Sequence, residues 1–164
     1  MKDDKISRRG NGFWYAGEFR ELNERTVLLD GSLTEEEAAA GQHVYRDILK
    51  AFQGPELLTG EPDRDEGGRE LSRAVPKQPV TVYIAPDVYW IDDPGAADIM
   101  QKKEGYALPF GMYVSCEKLR IVGLSDNPED VVIAGNRGQS HACNGNYTMI
   151  RFQVEELTVS NLTL

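Results

Sequence analysis

The hydrophobic positions of this chain fall into short runs rich in valine, isoleucine and aromatic residues, a pattern that predicts short β-strands. The clearest run is residues 79–86, where β-branched residues lie between two prolines. Residues 119–135 hold two more β-branched runs, separated by a polar turn at residues 126–130. The same criteria predict strands at residues 25–30, 87–92, 110–116, 148–152 and 157–164. The chain is therefore expected to be a succession of short strands and turns.

One stretch near the N-terminus carries the signals of a helix start. Thr34 is a suitable N-cap, Glu37 lies three residues further on as a capping box requires, and acidic residues fill the first turn. Gly41 either interrupts this helix or is tolerated within it. Apolar residues then recur at helical spacing, at Val44, Ile48, Leu49 and Phe52. The sequence predicts a helix that begins after Thr34 and presents one apolar stripe.

Polar segments set the expected domain boundaries. Residues 1–12 are predicted to be a disordered lead, and residues 13–164 to form one folded domain. Proline, glycine and charged residues predict surface excursions near residues 54–79 and 93–109. The aromatic triplet at residues 13–15 is interpreted as core packing, although such a cluster can also be a sugar-stacking platform.

The order of the predicted elements favours one architecture. Long helices do not separate the strands, and Asn-Gly hairpin links are missing, so neither a βαβ fold nor a meander is favoured. What remains is a solenoid in which each strand pairs with one in the next coil and a helix covers the first coil. The sequence therefore predicts an all-β fold, a parallel β-helix with an N-terminal capping α-helix. Residues 157–164 end within a strand pattern, which predicts a truncated C-terminus and end-to-end self-association through the uncapped last coil.

Composition and charge narrow the classes of partner. The 164 residues suit a single domain, and the net charge is -9, with 27 acidic against 18 basic residues. We therefore expect no nucleic acid partner. A polyuronate ligand would need a locally neutral groove, or a polymer neutralised as its methyl ester. The N-terminus has no signal peptide, and no apolar run approaches membrane-spanning length, so no membrane partner is expected either.

Few residues are candidates for a catalytic or metal-binding site. His43 falls on the predicted helix and His141 in a loop, and neither adjoins a serine or cysteine nucleophile motif. Cys116 and Cys143 are interpreted as small apolar fillers, with a disulfide or metal site as the alternative. The adjacent acids at residues 92–93 would point to opposite faces of a strand, which disfavours a paired-carboxylate site. No metal and no other cofactor is predicted.

Four segments follow one another in an order that is typical of a known family. They are HVYRDILKAF at residues 43–52, VTVYIAPDVYWID at 80–92, MYVSCEKLRIVGLSDNPEDVVIAGNRG at 112–138 and NYTMIRFQVEELTVSNLTL at 146–164. In this order they resemble the N-terminal part of the pectinesterases, the pectin methylesterases of the pectin-lyase-like right-handed parallel β-helix superfamily. The resemblance is strongest at residues 119–136.

The resemblance implies a right-handed β-helix that belongs to an enzyme acting on pectin-type plant polysaccharide, most simply by hydrolysis of its methyl esters. It places the catalytic residues beyond this chain, and it implies a secreted or periplasmic location. Thr148 lies on the strand where the family has a substrate-contacting threonine, and an ordinary strand threonine is the alternative. Other functions stay open: a non-catalytic polysaccharide-binding or structural module, or a relative of the pectate lyases or polygalacturonases.

Overall fold

Strands form most of the structure, with two short helices near the N-terminus. The computed structural model describes residues 6–52, 56–59, 79–91, 110–135 and 148–164. In chain order the elements are β1 Ser7–Arg9, β2 Gly12–Tyr15, β3 Glu18–Glu21, β4 Thr26–Leu29, α1 Glu35–Ala40, β5 Val44–Tyr45, α2 Ile48–Phe52, β6 Leu58–Thr59, β7 Val80–Ile84, β8 Asp87–Trp90, β9 Phe110–Gly123, β10 Val131–Ala134 and β11 Thr148–Ser160, with a 3-10 helix at Pro128–Asp130 before β10.

Strands β1, β2 and β3 form an antiparallel meander, which begins in the stretch where the sequence predicted a disordered lead. Gly10, with φ 57°, lies in the turn between β1 and β2. Ala16 and Gly17, with φ 52° and 80°, form the turn between β2 and β3. Positive φ at both central residues is the geometry of a tight type I′ hairpin turn. The first turn, Gly10-Asn11, lies in the stretch that was predicted to be a disordered lead, and the second uses alanine at a position of positive φ, so the sequence criteria missed the meander.

The central sheet is parallel, with the strand order β11, β9, β7, β4, β5, and β6 adds antiparallel to β9. Its register aligns one apolar residue from each of four strands in a row: Val27, Val82, Ile121 and Val159. The first three are buried, whereas Val159 is 38% exposed. β-branched side chains pack well on a pleated surface, and such rows form the core face of the sheet.

A second layer covers this core face. Strands β8 and β10 pair in parallel and place Tyr89, Val131 and Ile133 in the core, and Ile91, which follows β8, joins them. Helix α2 adds Ile48, Ala51 and Phe52 to the same cluster. The opposite face of the central sheet packs against the meander, where the Phe13 and Tyr83 rings meet edge to face with centroids 5.4 Å apart.

The predicted all-β right-handed parallel β-helix is wrong. The described residues form a mixed α/β structure, with a parallel five-stranded sheet, an antiparallel three-stranded sheet and few helices, and they show no closed or solenoid β-helix. The parallel pairing that the strand pattern suggested is present in the central sheet. The glycine turns of the meander reverse the chain direction, and this antiparallel unit does not belong to a solenoid.

The predicted helix start is confirmed, because the hydroxyl of Thr34 accepts a hydrogen bond from the backbone N–H of Glu37 at 3.1 Å. The helix does not continue through Gly41. Instead α1 ends at Ala40, the chain enters β5, and the apolar stripe belongs to β5 and α2. Most of the predicted excursion near residues 54–79, and all of that near 93–109, lies outside the described residues.

Candidate functional site

Thr148 is the one substrate-binding residue that the sequence predicted, and the structure describes the position of its backbone. Thr148 is the first residue of β11, and its backbone pairs in parallel register with Phe110. Its contact with a substrate stays a prediction. Residues 92–93, His141 and Cys143 lie outside the described residues. Cys116 is buried in the core and its thiol donates to the carbonyl of Lys118 at 3.1 Å, in keeping with a filler role.

The outer face of the meander carries two large aromatic side chains side by side. Trp14 on β2 lies directly opposite Phe19 on β3, and their ring centroids are 5.6 Å apart. Each residue is 44% exposed, although both belong to a residue class that is usually buried. We call this pair the aromatic platform. Two exposed rings in contact make this face a candidate binding surface.

Gly12 leaves room for the Phe19 ring of the platform. The ring of Phe19 and the carbonyl of Arg20 occupy the space that a side chain at Gly12 would need. The Phe19 ring therefore lies over Gly12. The polar residues Ser7, Arg9 and Glu21 alternate onto the same face, so hydrogen-bonding groups surround the two rings.

A second group of functional side chains surrounds the buried carboxylate of Glu56. Its Oε2 accepts a hydrogen bond from the Tyr45 hydroxyl at 2.8 Å, and its Oε1 lies 2.5 Å from Nδ1 of His43. Nδ1 of His43 and Oε1 of Glu56 thus share one hydrogen bond, which leaves Nε2 as the ring nitrogen for other contacts. We call these three residues the Glu56 cluster.

The backbone of His43 is held in an uncommon conformation within this cluster. Its φ is 60°, in the left-handed region that non-glycine residues rarely adopt. The carbonyl of His43 accepts a hydrogen bond from the backbone N–H of Leu28 in β4 at 2.9 Å. Strain of this kind costs about 1–3 kcal/mol and persists only where several contacts fix it, and such residues often occur at functional sites.

The pKa of Tyr45 reflects its place in the cluster. Burial raises this pKa well above the usual tyrosine range, and the hydrogen bond to Glu56 and the negative charge of Glu56 raise it further. Tyr45 therefore stays protonated and keeps donating to the carboxylate. It is not suited to act as a base or a nucleophile.

The Glu56 cluster borders an open cavity of about 660 Å³ between α1 and the segment that joins β5 to α2. This volume lies in the range of small-molecule sites. Its wall includes Ala38, Ala39, His43, Val44 and Lys50. Both polar and apolar groups thus face the same space.

Sequence reasoning interpreted the triplet that contains Trp14 as core packing, with a sugar-stacking platform as the alternative, and it did not find Phe19 or the Glu56 cluster. The alternation of side chains along a strand was the available signal for Trp14, because residues on either side of it in the triplet point to the other face. The sequence carried no signal for the Glu56 cluster, whose carboxylate comes from beyond α2. Among the described residues, no three histidine, cysteine or acidic side chains lie close enough to hold a metal ion.

Comparison with protein-family models, with curated proteins and with solved structures gave no significant match. The helices in the described part of the chain are all too short or too polar to cross a bilayer.

Proposed function

We propose that this chain is a non-catalytic polysaccharide-binding part of a carbohydrate-active protein, and that it binds pectin-type polymer through the aromatic platform. The observation that carries the proposal is the exposed, adjacent pair of Trp14 and Phe19. The choice of pectin-type polymer, and a secreted or periplasmic location, come from the resemblance to pectinesterases.

The chemistry of a sugar ring suits this surface. A pyranose presents C–H groups on its faces and hydroxyls on its rim, so it can stack on an aromatic ring while its hydroxyls meet polar side chains. The two rings provide apolar area at a low cost in side-chain entropy, because an aromatic side chain has only two rotatable bonds. Arg9 and Glu21, on the same face, provide a donor and acceptors for hydroxyls.

The charge of the chain favours one form of the polymer. With a net charge of -9, the protein repels a polyanion at long range. A highly methyl-esterified pectin avoids this repulsion because its carboxyl groups are neutral. The proposal therefore includes a preference for the esterified polymer, and that preference should shrink as salt screens the repulsion.

Ester hydrolysis does not enter the proposal. No arrangement of the described residues favours that reaction. The binding proposal stands on a different observation, and it does not require the β-helix that the structure contradicts.

Tryptophan fluorescence can test the proposal directly, because the chain has only two tryptophans, Trp14 and Trp90. In the variant Trp90→Phe, Trp14 is the single tryptophan and reports on the platform alone. We expect its emission to shift to shorter wavelength as esterified pectin is added, since stacking removes the indole from water. An unchanged spectrum at saturating polymer would contradict stacking on Trp14.

The matched substitutions Trp14→Ala and Trp90→Ala separate the platform from a general loss of aromatic surface. The two side chains are 44% and 45% exposed, and Trp90 lies on β8 in a different sheet. We expect Trp14→Ala to weaken binding at least about tenfold, as truncation of an aromatic anchor does at other interfaces, and Trp90→Ala to leave it unchanged. Affinity electrophoresis in gels containing esterified pectin measures both variants. Equal effects of the two substitutions would rule out the platform as the binding site.

A further inference from the structure

The wall of the cavity beside the Glu56 cluster carries two acidic and two basic side chains, Glu35, Asp47, Arg46 and Lys50. Among the groups around it, Arg46 lies 3.8 Å from a carboxylate oxygen of Glu35. Asp47 accepts a hydrogen bond from the backbone N–H of Lys50 and so caps α2. The other basic side chain of the wall is Lys50, and its ammonium has no ion-pair partner in the part of the chain that the structure describes.

The apolar part of the same wall consists of small side chains. Ala38 and Ala39 come from α1, and Val44 comes from β5. They leave room for the body of a ligand and offer it methyl groups instead of hydrogen bonds. A ligand that fits both parts of the wall has one negative end and an apolar body.

The Glu56 cluster keeps this wall in place. His43 is held by its backbone to β4 and by its ring to a carboxylate whose side chain is only 2% exposed. Because its backbone and its ring are both held, this part of the cavity wall is fixed before a ligand arrives. A preformed site loses less entropy on binding than one that must be ordered by its ligand.

We propose that this cavity binds a small organic monocarboxylate. The carboxylate meets the ammonium of Lys50 in a charge-assisted contact, and the body of the ligand packs against the alanines of α1 and against Val44. The site is separate from the aromatic platform, and the proposal does not depend on polysaccharide binding.

Benzoate and benzamide test the proposal, because they have nearly the same shape and differ in charge. Ligand-observed NMR titration of the full chain gives the affinity for each compound. We expect benzoate to bind at least about tenfold more tightly than benzamide, since only benzoate can form the ion pair. Equal affinity for the two compounds, or no binding of benzoate, would overturn the proposal.

The variant Lys50→Met tests the position of the charge. It keeps the length of the side chain and removes the ammonium, and Lys50 is exposed, so the fold should be retained, which circular dichroism checks. We expect its affinity for benzoate to fall to that of benzamide. The control Lys118→Met removes an equally charged side chain on β9, which pairs with Glu156 at 3.2 Å, and should bind benzoate like the parent chain. If both variants lose affinity equally, the effect is one of net charge and the site is wrong.

Discussion

Gly123, the last residue of β9, lies against the backbone of Asn161, the residue that follows β11. A side chain there would collide with the carbonyl of Asn161, which follows β11 in the left-handed conformation with φ 56°. We therefore expect Gly123→Ala to lower the free energy of unfolding by about 1–3 kcal/mol, the usual cost of overpacking.

Urea unfolding followed by circular dichroism measures this loss. Gly17→Asn is the matched control, because Gly17 has open space around it and asparagine tolerates positive φ. Its effect should stay within about 1 kcal/mol. A Gly123→Ala variant as stable as the parent would show that the two backbones can separate without cost.

Tyr89 makes stability depend on pH in the alkaline range. Burial raises its pKa far above the tyrosine range; the N–H of Gly31 acts in the opposite direction, and the nearby charges of Asp30 and Asp87 raise the pKa further. Above about pH 10 an unfolded tyrosine loses its proton while the folded one keeps it. The folded state then binds more protons than the unfolded state, so stability falls as pH rises.

The urea midpoint, measured between about pH 8 and 11, checks this dependence. Tyr89→Phe should be less stable at the lower pH, because Phe leaves the carbonyl of Ala85 without the hydrogen bond it accepts at 2.8 Å. Its midpoint should also decline less steeply above about pH 10. Parallel curves for the two proteins would mean that Tyr89 does not titrate differently on folding.

The longest strands show what a hydrophobic pattern can reveal and what it conceals. In β9 the buried apolar residues are Met112, Val114 and Cys116, and then Leu119 and Ile121. The core-facing positions thus pass from even to odd numbers at residues 117–118. The pattern predicted two strands here because the alternation breaks, whereas the backbone pairing runs through the break. The neighbouring β11 changes face at the matching position of its register.

The β-branched runs correctly predicted strands β4, β7, β8 and β10. The preference of such a run for a strand depends on the residues of the run itself. In the meander, the β2–β3 turn was missed since it uses positive φ at Ala16, which no propensity rule assigns to alanine, and the β1–β2 turn lies in the stretch that was predicted to be disordered. The fold class was wrong because a pattern of strands along the sequence determines neither the direction in which the strands pair nor the number of layers that they form.

At the scale of the whole molecule, the core rows of the central sheet end at β11. Leu157 and Val159 continue rows that are buried in β7 and β9, and yet they are 40% and 38% exposed. In the described residues β9 is the only strand that pairs with β11 in the sheet. An exposed strand with apolar side chains favours pairing with another chain. The predicted self-association through this end stays a prediction, and it can be tested.

Val159→Lys should reduce such association, since a lysine on an edge strand opposes pairing and places a charge in the interface. Sedimentation velocity over a range of protein concentrations measures it. Val88→Lys is the control, because Val88 is 48% exposed on β8, away from this edge. If the parent chain stays monomeric at all concentrations, or if both variants associate like the parent, the edge is not the contact.

The order of the central sheet also bears on how the protein is made. From β4 through β7 and β9 to β11, each strand lies beside the strand of this series that precedes it in the chain. On a ribosome, where the N-terminal part emerges first, every new strand therefore finds its neighbour already synthesised. The sheet can grow in the direction of translation, and no strand of this series has to wait for a partner encoded further downstream.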